Sequence, residues 1–287
     1  MKKILVATDF STRSDRAIRR ATLLARKFEA AVSLIHVVDD DRPKRIVEAE
    51  RESAAKLLGE QARSVREIDG LDCSARVLLG SLSDEIIKAA EAAAADILVI
   101  GPHRHHAFLD VFVGTTAERT IRASRQPLLV ASGVPAGFYG HVLVAVDLSE
   151  GSGNALHVLR ELGLDRHAAV SVVNVFSAPA RSHMAAAAAS SADIAGYLAG
   201  QEERAAGELT EFMRSLAFAP TRQVLKLNES SVAHIICATA REVSADLIVV
   251  GTRGLTGVTK FLLGSVAEEV LHISDRDVLA VPPQRRS

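Results

Sequence analysis

Hydrophobic residues along the chain form short apolar runs that alternate with longer segments of helical periodicity. In the first half these runs are ILVAT, AVSLIHVV, CSARVLL, DILVIG and PLLVA, and similar runs follow in the second half. Short runs rich in Val and Ile indicate buried strands, and apolar residues that recur every three or four positions indicate amphipathic helices. We predict first-half helices at 14–28, about 45–68, 83–94 and from about 115. This alternation predicts an α/β fold with a parallel sheet and right-handed crossovers.

The pattern occurs twice along the chain. KKILVATDFSTRSDRAI matches HVLVAVDLSEGSGNAL, which aligns Asp9 with Asp147, and AVSLIHVVD matches AVSVVNVFS. Further along, SDEIIKAAEAAAADILVIG matches AHIICATAREVSADLIVVG, which aligns Gly101 with Gly251. The turn-rich segment SGVPAGFYG at 132–140 has the composition of a linker. We therefore expect two domains, 1–136 and 137–287.

The second copy is longer than the first, and the extra length falls at 177–197 in an Ala-, Ser- and Gly-rich segment. We expect a mobile loop there that leads into a helix from about Asp193. Gly196 and Gly200 weaken the first turns of that helix. An alternative interpretation makes this segment a lid over a bound ligand.

Composition excludes several classes of function. The 287 residues carry a formal net charge of −1, and two Tyr with no Trp leave little for base stacking, so we expect no nucleic-acid partner. No stretch approaches the roughly 18 apolar residues of a membrane span. Cys73 and Cys237 are far apart and are expected to be buried small hydrophobes. We expect a cytoplasmic protein.

The most informative stretch is GTRGLTGVTKFLLGS, from Gly251 to Ser265. It follows the apolar run ADLIVV and leads into SVAEEVLHI, which has helical periodicity. Glycines let backbone N–H groups approach a ligand closely, and the positive end of a helix favours an anion. The stretch is not a P-loop, because no Gly-Lys-Ser/Thr follows at the required distance. It predicts a phosphate site.

This loop resembles the nucleotide loop of the ATP-binding class of universal stress proteins, in which Gly, two residues, Gly, nine residues and Gly precede Ser or Thr. Both halves look like domains of that family, so the resemblance covers nearly the whole chain. It implies two tandem doubly wound domains, each a five-stranded parallel sheet of order 3-2-1-4-5 flanked by helices. Family members often dimerise through their last strands. A tandem chain can make that pairing internally, as a pseudo-dimer, and can still form a homodimer.

The resemblance also implies a site for ATP, together with Mg²⁺, in the second half. Asp147 would lie near the base, the backbone of Val175, just after the second strand, would meet adenine, and Val250 with Gly251 would pack against base and ribose. A turn or helix-start carboxylate is the alternative for Asp147. Phosphates would be held by Gly254, Gly264 and Ser265, and Ala145 at the end of the first strand completes the set. Arg253 and Lys260, our own additions, either neutralise phosphate charge or are solvated loop charges.

The first half breaks the loop pattern. Its stretch GPHRHHAFLDVFVGT has Arg104 in place of the middle glycine, and Pro102 removes an N–H group. We therefore predict that this half does not bind ATP in the family manner. His103, His105 and His106 beside Arg104 leave three interpretations open: a pocket for another anionic ligand, a zinc site, or an exposed loop.

These features favour an ATP-binding universal stress protein that acts as a nucleotide-responsive regulator in a stress response, through a protein partner that the sequence does not identify. We expect no dedicated enzymatic activity. One alternative is a slow ATPase in which Asp147 holds a metal ion and Ser265 the phosphates, although the loop shows no evident base. Another alternative is a scaffold that retains the motif without binding a nucleotide.

Overall fold

The computed structural model describes residues 1–102, 116–187, 189–252 and 263–283. Within them, the first half alternates strands and helices as the hydrophobic pattern predicts, with bounds that differ by a few residues at most. Its elements are β1 (Lys3–Ala7), α1 (Thr12–Phe28), β2 (Ala31–Val38), α2 (Lys44–Glu67), β3 (Cys73–Leu79), α3 (Leu82–Ala92), β4 (Ile97–Ile100), α4 (Thr116–Ala123) and β5 (Leu128–Val130).

The second half repeats this order with one additional helix. Its elements are β6 (His141–Ala145), α5 (Glu150–Glu161), a 3₁₀ turn (Leu164–Arg166), β7 (Ala169–Phe176), α6 (Arg181–Ala186), α7 (Ser191–Ser215), β8 (Arg222–Leu227), α8 (Val232–Glu242), β9 (Leu247–Gly251), α9 (Ser265–Ile273) and β10 (Asp277–Val281).

The inserted segment is more ordered than a loop. It contains the short helix α6, and α7 begins at Ser191 because Ser190 caps it by accepting a hydrogen bond from the Asp193 amide. Arg181 forms an ion pair with Glu229, and the Tyr197 hydroxyl accepts a hydrogen bond from the Ala180 amide at 3.2 Å. These contacts fasten α6 at its start, so the expectation of a loop as far as Asp193 is wrong.

The ten strands of the described residues form one sheet, in the order β3-β2-β1-β4-β5-β10-β9-β6-β7-β8. Counted within its own half, each set of five has the predicted order 3-2-1-4-5, and the strands within each half are parallel. The halves join where β5 pairs antiparallel with β10, with Leu129 opposite Leu279. The internal pairing of the last strands is therefore present, and the two predicted sheets form a single one.

The sheet has a hydrophobic core on each face, and each core runs across both halves. On one face α1, α2, α5 and α7 cover the sheet through residues such as Leu24, Leu58, Leu156 and Leu209. On the other face α3, α4, α8 and α9 pack through Ile86, Ile121, Ile236 and Val270. Helices on both faces leave the carboxyl ends of the strands as the open edge, where ligands of such sheets bind.

The segment between the halves packs against the core, although its composition is that of a linker. Tyr139 is 1% exposed, and its hydroxyl donates a hydrogen bond to Asp277 Oδ2 at 2.6 Å. Phe138 makes ring contacts with Phe28 of the first half and His167 of the second. The connection thus fixes one half against the other. In the part of the chain that the structure describes, every helix is too short or too polar to cross a bilayer.

Candidate functional site

Seven of the ten predicted site residues lie at one edge of the second-half sheet. Neighbouring strands β7, β6 and β9 run parallel, with Ala145 opposite Val173 and Val144 opposite Val249. Their carboxyl ends therefore meet where the strand order changes direction, which is the usual ligand position in open parallel sheets. Located at this edge are Ala145, Asp147, Val175, Val250, Gly251, Gly264 and Ser265.

Asp147 follows β6 and is part of a turn that starts α5. Its Oδ1 accepts hydrogen bonds from the Ser149 amide at 3.1 Å and the Ser149 hydroxyl at 2.5 Å. Ser149 in turn caps α5 by accepting from the Ser152 amide at 3.2 Å. This chain of contacts holds the half-buried carboxylate in one orientation at the carboxyl edge. A turn carboxylate and a ligand contact are therefore compatible roles for Asp147.

The residue after this aspartate has a strained backbone. Leu148 has φ of 63°, and Phe10 in the corresponding place of the first half has φ of 61°. A bulky residue in the left-handed region costs roughly 1–2 kcal/mol. Strained backbone of this kind is most frequent at binding and active sites. The sequence gives no signal for it, because glycine or asparagine is the usual residue at positive φ.

A side chain from the second strand of each half holds the end of the first strand. Asn174 Nδ2 donates to the Val146 carbonyl at 3.0 Å, and His36 Nδ1 lies 2.8 Å from the Thr8 carbonyl in the corresponding position. The sequence repeat aligns Asn174 with His36, but it does not reveal that each side chain contacts the corresponding backbone carbonyl of its own half. Val175 follows Asn174 within β7, one residue before that strand ends, rather than after the strand.

The β9–α9 junction brings together the two described parts of the glycine-bearing stretch Gly251–Ser265. Thr252 accepts a hydrogen bond from the Gly264 amide at 2.9 Å, which closes the base of the loop. Gly264 is the N-cap of α9 and Ser265 is its exposed first residue. Among the described residues no side chain caps this helix start, whereas Ser11 and Ser149 cap α1 and α5. Amides without a side-chain cap, at a position that lacks a Cβ, suit phosphate oxygens.

Several predicted loop residues lie outside the described residues. In the second half these are Arg253, Gly254 and Lys260. In the first half they are His103, Arg104, His105 and His106, so the anion-pocket and zinc interpretations of that loop both fall there.

The first half has the same turn as the second, with different surroundings. Asp9 accepts hydrogen bonds from the Ser11 amide at 3.0 Å and the Ser11 hydroxyl at 2.5 Å. Burial raises the pKa of Asp9, but these hydrogen bonds, Ser14 and the Arg13 charge outweigh it, so the pKa lies below its usual value.

A groove of about 760 Å³ lies beside this turn, between the end of β2 and α2. Its walls include Phe10 and His36, whose rings are 4.4 Å apart, together with Arg42 and Arg45. Arg42 is already paired with Glu50 at 2.7 Å.

Both cysteines are buried, as expected for small hydrophobes. Burial raises the pKa of Cys73 to about 11 and that of Cys237 to about 11. A thiol with so high a pKa is not a nucleophile at neutral pH.

Comparison with known proteins agrees with this geometry. The sequence model of the Universal stress protein family matches residues 1–132 and again 138–282. Universal stress protein A homolog 1 of Coxiella burnetii is 35% identical over 144 residues, which is 50% of this chain and 96% of that protein. A universal stress protein of Mycolicibacterium smegmatis is 25% identical over 303 residues, covering 98% of this chain and 97% of its own.

A solved structure shares the fold along the whole chain. The crystal structure of a universal stress protein from Archaeoglobus fulgidus has a TM-score of 0.67 and 20% identity, and the match covers 98% of both chains. This likeness concerns the fold alone. Because the family match covers both halves, the chain belongs to the universal stress protein family, as a tandem member with two such domains.

Proposed function

We propose that the second half binds ATP with Mg²⁺ at the carboxyl edge of β6, β7 and β9. The observation that carries this proposal is the loop pattern of Gly251, Gly254, Gly264 and Ser265, placed between a buried strand and a helix start without a side-chain cap. All four fixed positions of the family's nucleotide loop are therefore filled, in a strand–loop–helix context that suits phosphate.

Each described residue has a proposed part in holding the nucleotide. Asp147, fixed by Ser149, faces the base and ribose or supplies a hard oxygen ligand for the metal. Val175 and Val250 provide apolar contact and backbone polar groups for the base. Gly264 and Ser265 provide amides and a hydroxyl for phosphate oxygens. Mg²⁺ supplies the charge that neutralises neighbouring phosphates when the nucleotide is bound.

We further propose that the protein is a nucleotide-responsive regulator in the cytoplasm rather than an enzyme. A ligand shifts a conformational equilibrium only if it binds one state better than the other. The loop whose base is closed by Thr252 and Gly264 is the element that ATP would stabilise, and a protein partner would recognise the ATP-bound form. In this proposal the domain at 1–136 does not bind the nucleotide, and the domain at 137–287 does.

The test is a calorimetric titration of ATP in the presence of Mg²⁺. Wild type is compared with Gly254→Arg, which copies Arg104 of the first half into the second. Gly207→Arg is the matched control, because Gly207 is exposed on α7 and a Cβ there meets nothing within 4 Å. We expect one site per chain in wild type and in the control, and at least a tenfold loss in Gly254→Arg.

Other outcomes of the titration would overturn parts of the proposal. Two sites per chain would show that the first half binds the nucleotide despite Arg104. An absence of binding in wild type would favour the scaffold interpretation. Phosphate release is measured in the same samples, and fast turnover that depends on Asp147 would contradict a binding-only role.

A further inference from the structure

One ion pair and one histidine–carboxylate contact join α4 of the first half to α9 of the second. His272 Nε2 lies 2.7 Å from Glu118 Oε1, and Arg122 Nη2 lies 3.6 Å from Glu268 Oε2. Each pair therefore consists of one residue from each half. Together they form a polar cluster across the junction of the two domains, on the face of the sheet that carries α3, α4, α8 and α9.

The repeat relates the two pairs to each other. The alignment of Gly101 with Gly251 places Glu118 in register with Glu268, and Arg122 in register with His272. Each glutamate thus faces the basic residue of the opposite half, as expected for an interface with approximate two-fold symmetry. The two pairs differ in one chemical respect. The guanidinium of Arg122 cannot coordinate a metal ion, whereas a neutral imidazole at His272 can.

From this cluster we propose that Glu118, Glu268 and His272 form a binding site for a divalent transition metal such as zinc. One possible ligand atom from each of the three lies within 4.8 Å of the others. Around a tetrahedral zinc ion, neighbouring oxygen and nitrogen ligands are about 3.4 Å apart. Zinc therefore needs only small side-chain movements, in which Glu118 and His272 move slightly apart.

The burial of the three groups sets the character of the site. Glu118 has a side chain that is 7% exposed, whereas His272 is 44% exposed and Glu268 is 30% exposed. A metal would therefore have a buried anionic ligand on one side and access to water on the other. Two carboxylates with one imidazole suit zinc and neighbouring divalent ions better than soft Cu(I), which prefers sulfur. Because Glu118 and His272 come from different halves, the ion would link the two domains.

Zinc titration by calorimetry tests the site. The full chain carries His103→Ala, His105→Ala and His106→Ala as a background, so that the clustered histidines of the first half contribute nothing to the heat. The decisive variant is His272→Arg, which copies Arg122, places a cation opposite Glu118 and removes the imidazole. His157→Ala is the control, because His157 pairs with Glu161 on the exposed surface of α5.

We expect one zinc ion per chain in the background protein and in the His157→Ala control, and at least tenfold weaker binding in His272→Arg. Arg122→His adds a fourth possible ligand opposite Glu268 and is expected to tighten binding. Co²⁺ in place of zinc should give visible absorption bands in the background protein that are lost in His272→Arg. Equal zinc binding with and without His272, or no zinc binding in the background protein, would overturn the proposal.

Discussion

Arg20 of α1 and Asp277 at the start of β10 form an ion pair between the two halves, with Nε 2.6 Å from Oδ2 and side chains that are 4% and 0% exposed. The Nε contact is an ion pair rather than a well-directed hydrogen bond, and Arg20 Nη1 donates instead to the Gly137 carbonyl at 2.6 Å. Asp277 also accepts hydrogen bonds from the Tyr139 hydroxyl and the Gly133 amide. Strand β10, the connecting segment and α1 are thereby held together by one buried network.

The two partners of this pair are predicted to differ in what their loss costs. Burial raises the pKa of Asp277 above its usual value, although Arg20, Tyr139 and Gly133 each lower it. The surroundings of Asp277 therefore favour the protonated, neutral carboxyl more than water does. Arg20→Met leaves a buried carboxylate without its counter-charge and should cost about 3 kcal/mol. Asp277→Asn leaves Arg20 buried with a charge that it cannot lose, whereas the carboxyl left by Arg20→Met can take up a proton, so Asp277→Asn should cost more, about 3–5 kcal/mol. Denaturant unfolding measures both, with the exposed Arg51→Met, which should cost less than about 0.5 kcal/mol, as control.

The cost of Arg20→Met should also depend on pH. Without Arg20 the pKa of Asp277 rises further, because a charge that lowered it is gone. A carboxyl whose pKa is higher in the folded state than in the unfolded state is penalised above its folded pKa, and the penalty disappears as pH falls below the unfolded value. The difference in unfolding free energy between wild type and Arg20→Met should therefore narrow from pH 7 towards pH 4. A difference that widens on acidification would contradict the raised pKa.

The hydrophobic pattern predicts the elements well but not this network. Strands such as AVSLIHVV and CSARVLL match β2 and β3 residue for residue, because buried parallel strands are short apolar runs with clear ends. Arg20, by contrast, lies in a helix with many basic residues and has no feature that marks it as buried. Its partner is near the opposite end of the chain. Periodicity describes local exposure and cannot identify such distant pairs.

A matched pair of glycine substitutions tests the close approach of β4 to α1. A Cβ on Gly101 would lie 2.8 Å from the Arg13 carbonyl carbon and oxygen and 2.9 Å from the Ser14 amide nitrogen, all backbone atoms. Gly101→Ala should therefore destabilise the protein by about 1–3 kcal/mol. Gly59→Ala, within α2 and with nothing within 4 Å, should stabilise it by up to about 1 kcal/mol. The midpoints of thermal unfolding of both variants test these predictions. Equal midpoints for the two variants would show that Gly101 has room for a methyl group.

The two cysteines should be unreactive in the folded protein. Both are buried and each has a pKa raised to about 11, so at pH 8 roughly one thiol in a thousand is ionised. A disulfide reagent that releases a coloured thiol should detect neither Cys73 nor Cys237 before denaturant is added, and both afterwards. Ser64→Cys, on the exposed face of α2, should add one thiol that reacts at once. Rapid labelling of wild type would mean that the helices over these residues open readily.

The candidate site was predictable only in part, for a physical reason. Glycine spacing and the strand–helix order mark the β9–α9 loop because both are local features. The left-handed backbone of Leu148 and the hydrogen bond from Asn174 to the Val146 carbonyl depend on how neighbouring strands meet. The side chain that contacts the carbonyl after the first strand is Asn174 in one half and His36 in the other. Because the residue types differ, the sequence does not show that the two residues have the same role.

The pair Asp9 and Asp147 allows a test of whether the carboxylate binds a ligand or only shapes the turn. Both accept two hydrogen bonds from the serine two residues later, so the two side chains shape their turns in the same way. Asparagine retains the accepting oxygen, and each substitution by Asn should therefore change the unfolding free energy by less than about 1 kcal/mol.

Under the proposed function the two substitutions should have different effects on the affinity for ATP. Asp147→Asn should weaken ATP binding about tenfold, which corresponds to about 1.4 kcal/mol, because it removes a charge that faces the nucleotide or its metal. Asp9→Asn should leave ATP affinity unchanged, since the first-half loop has Arg104 in place of the second glycine. Calorimetry with Mg²⁺ at constant ionic strength measures both. If Asp147→Asn binds ATP as tightly as wild type, Asp147 serves the turn alone and the nucleotide is held by the loop.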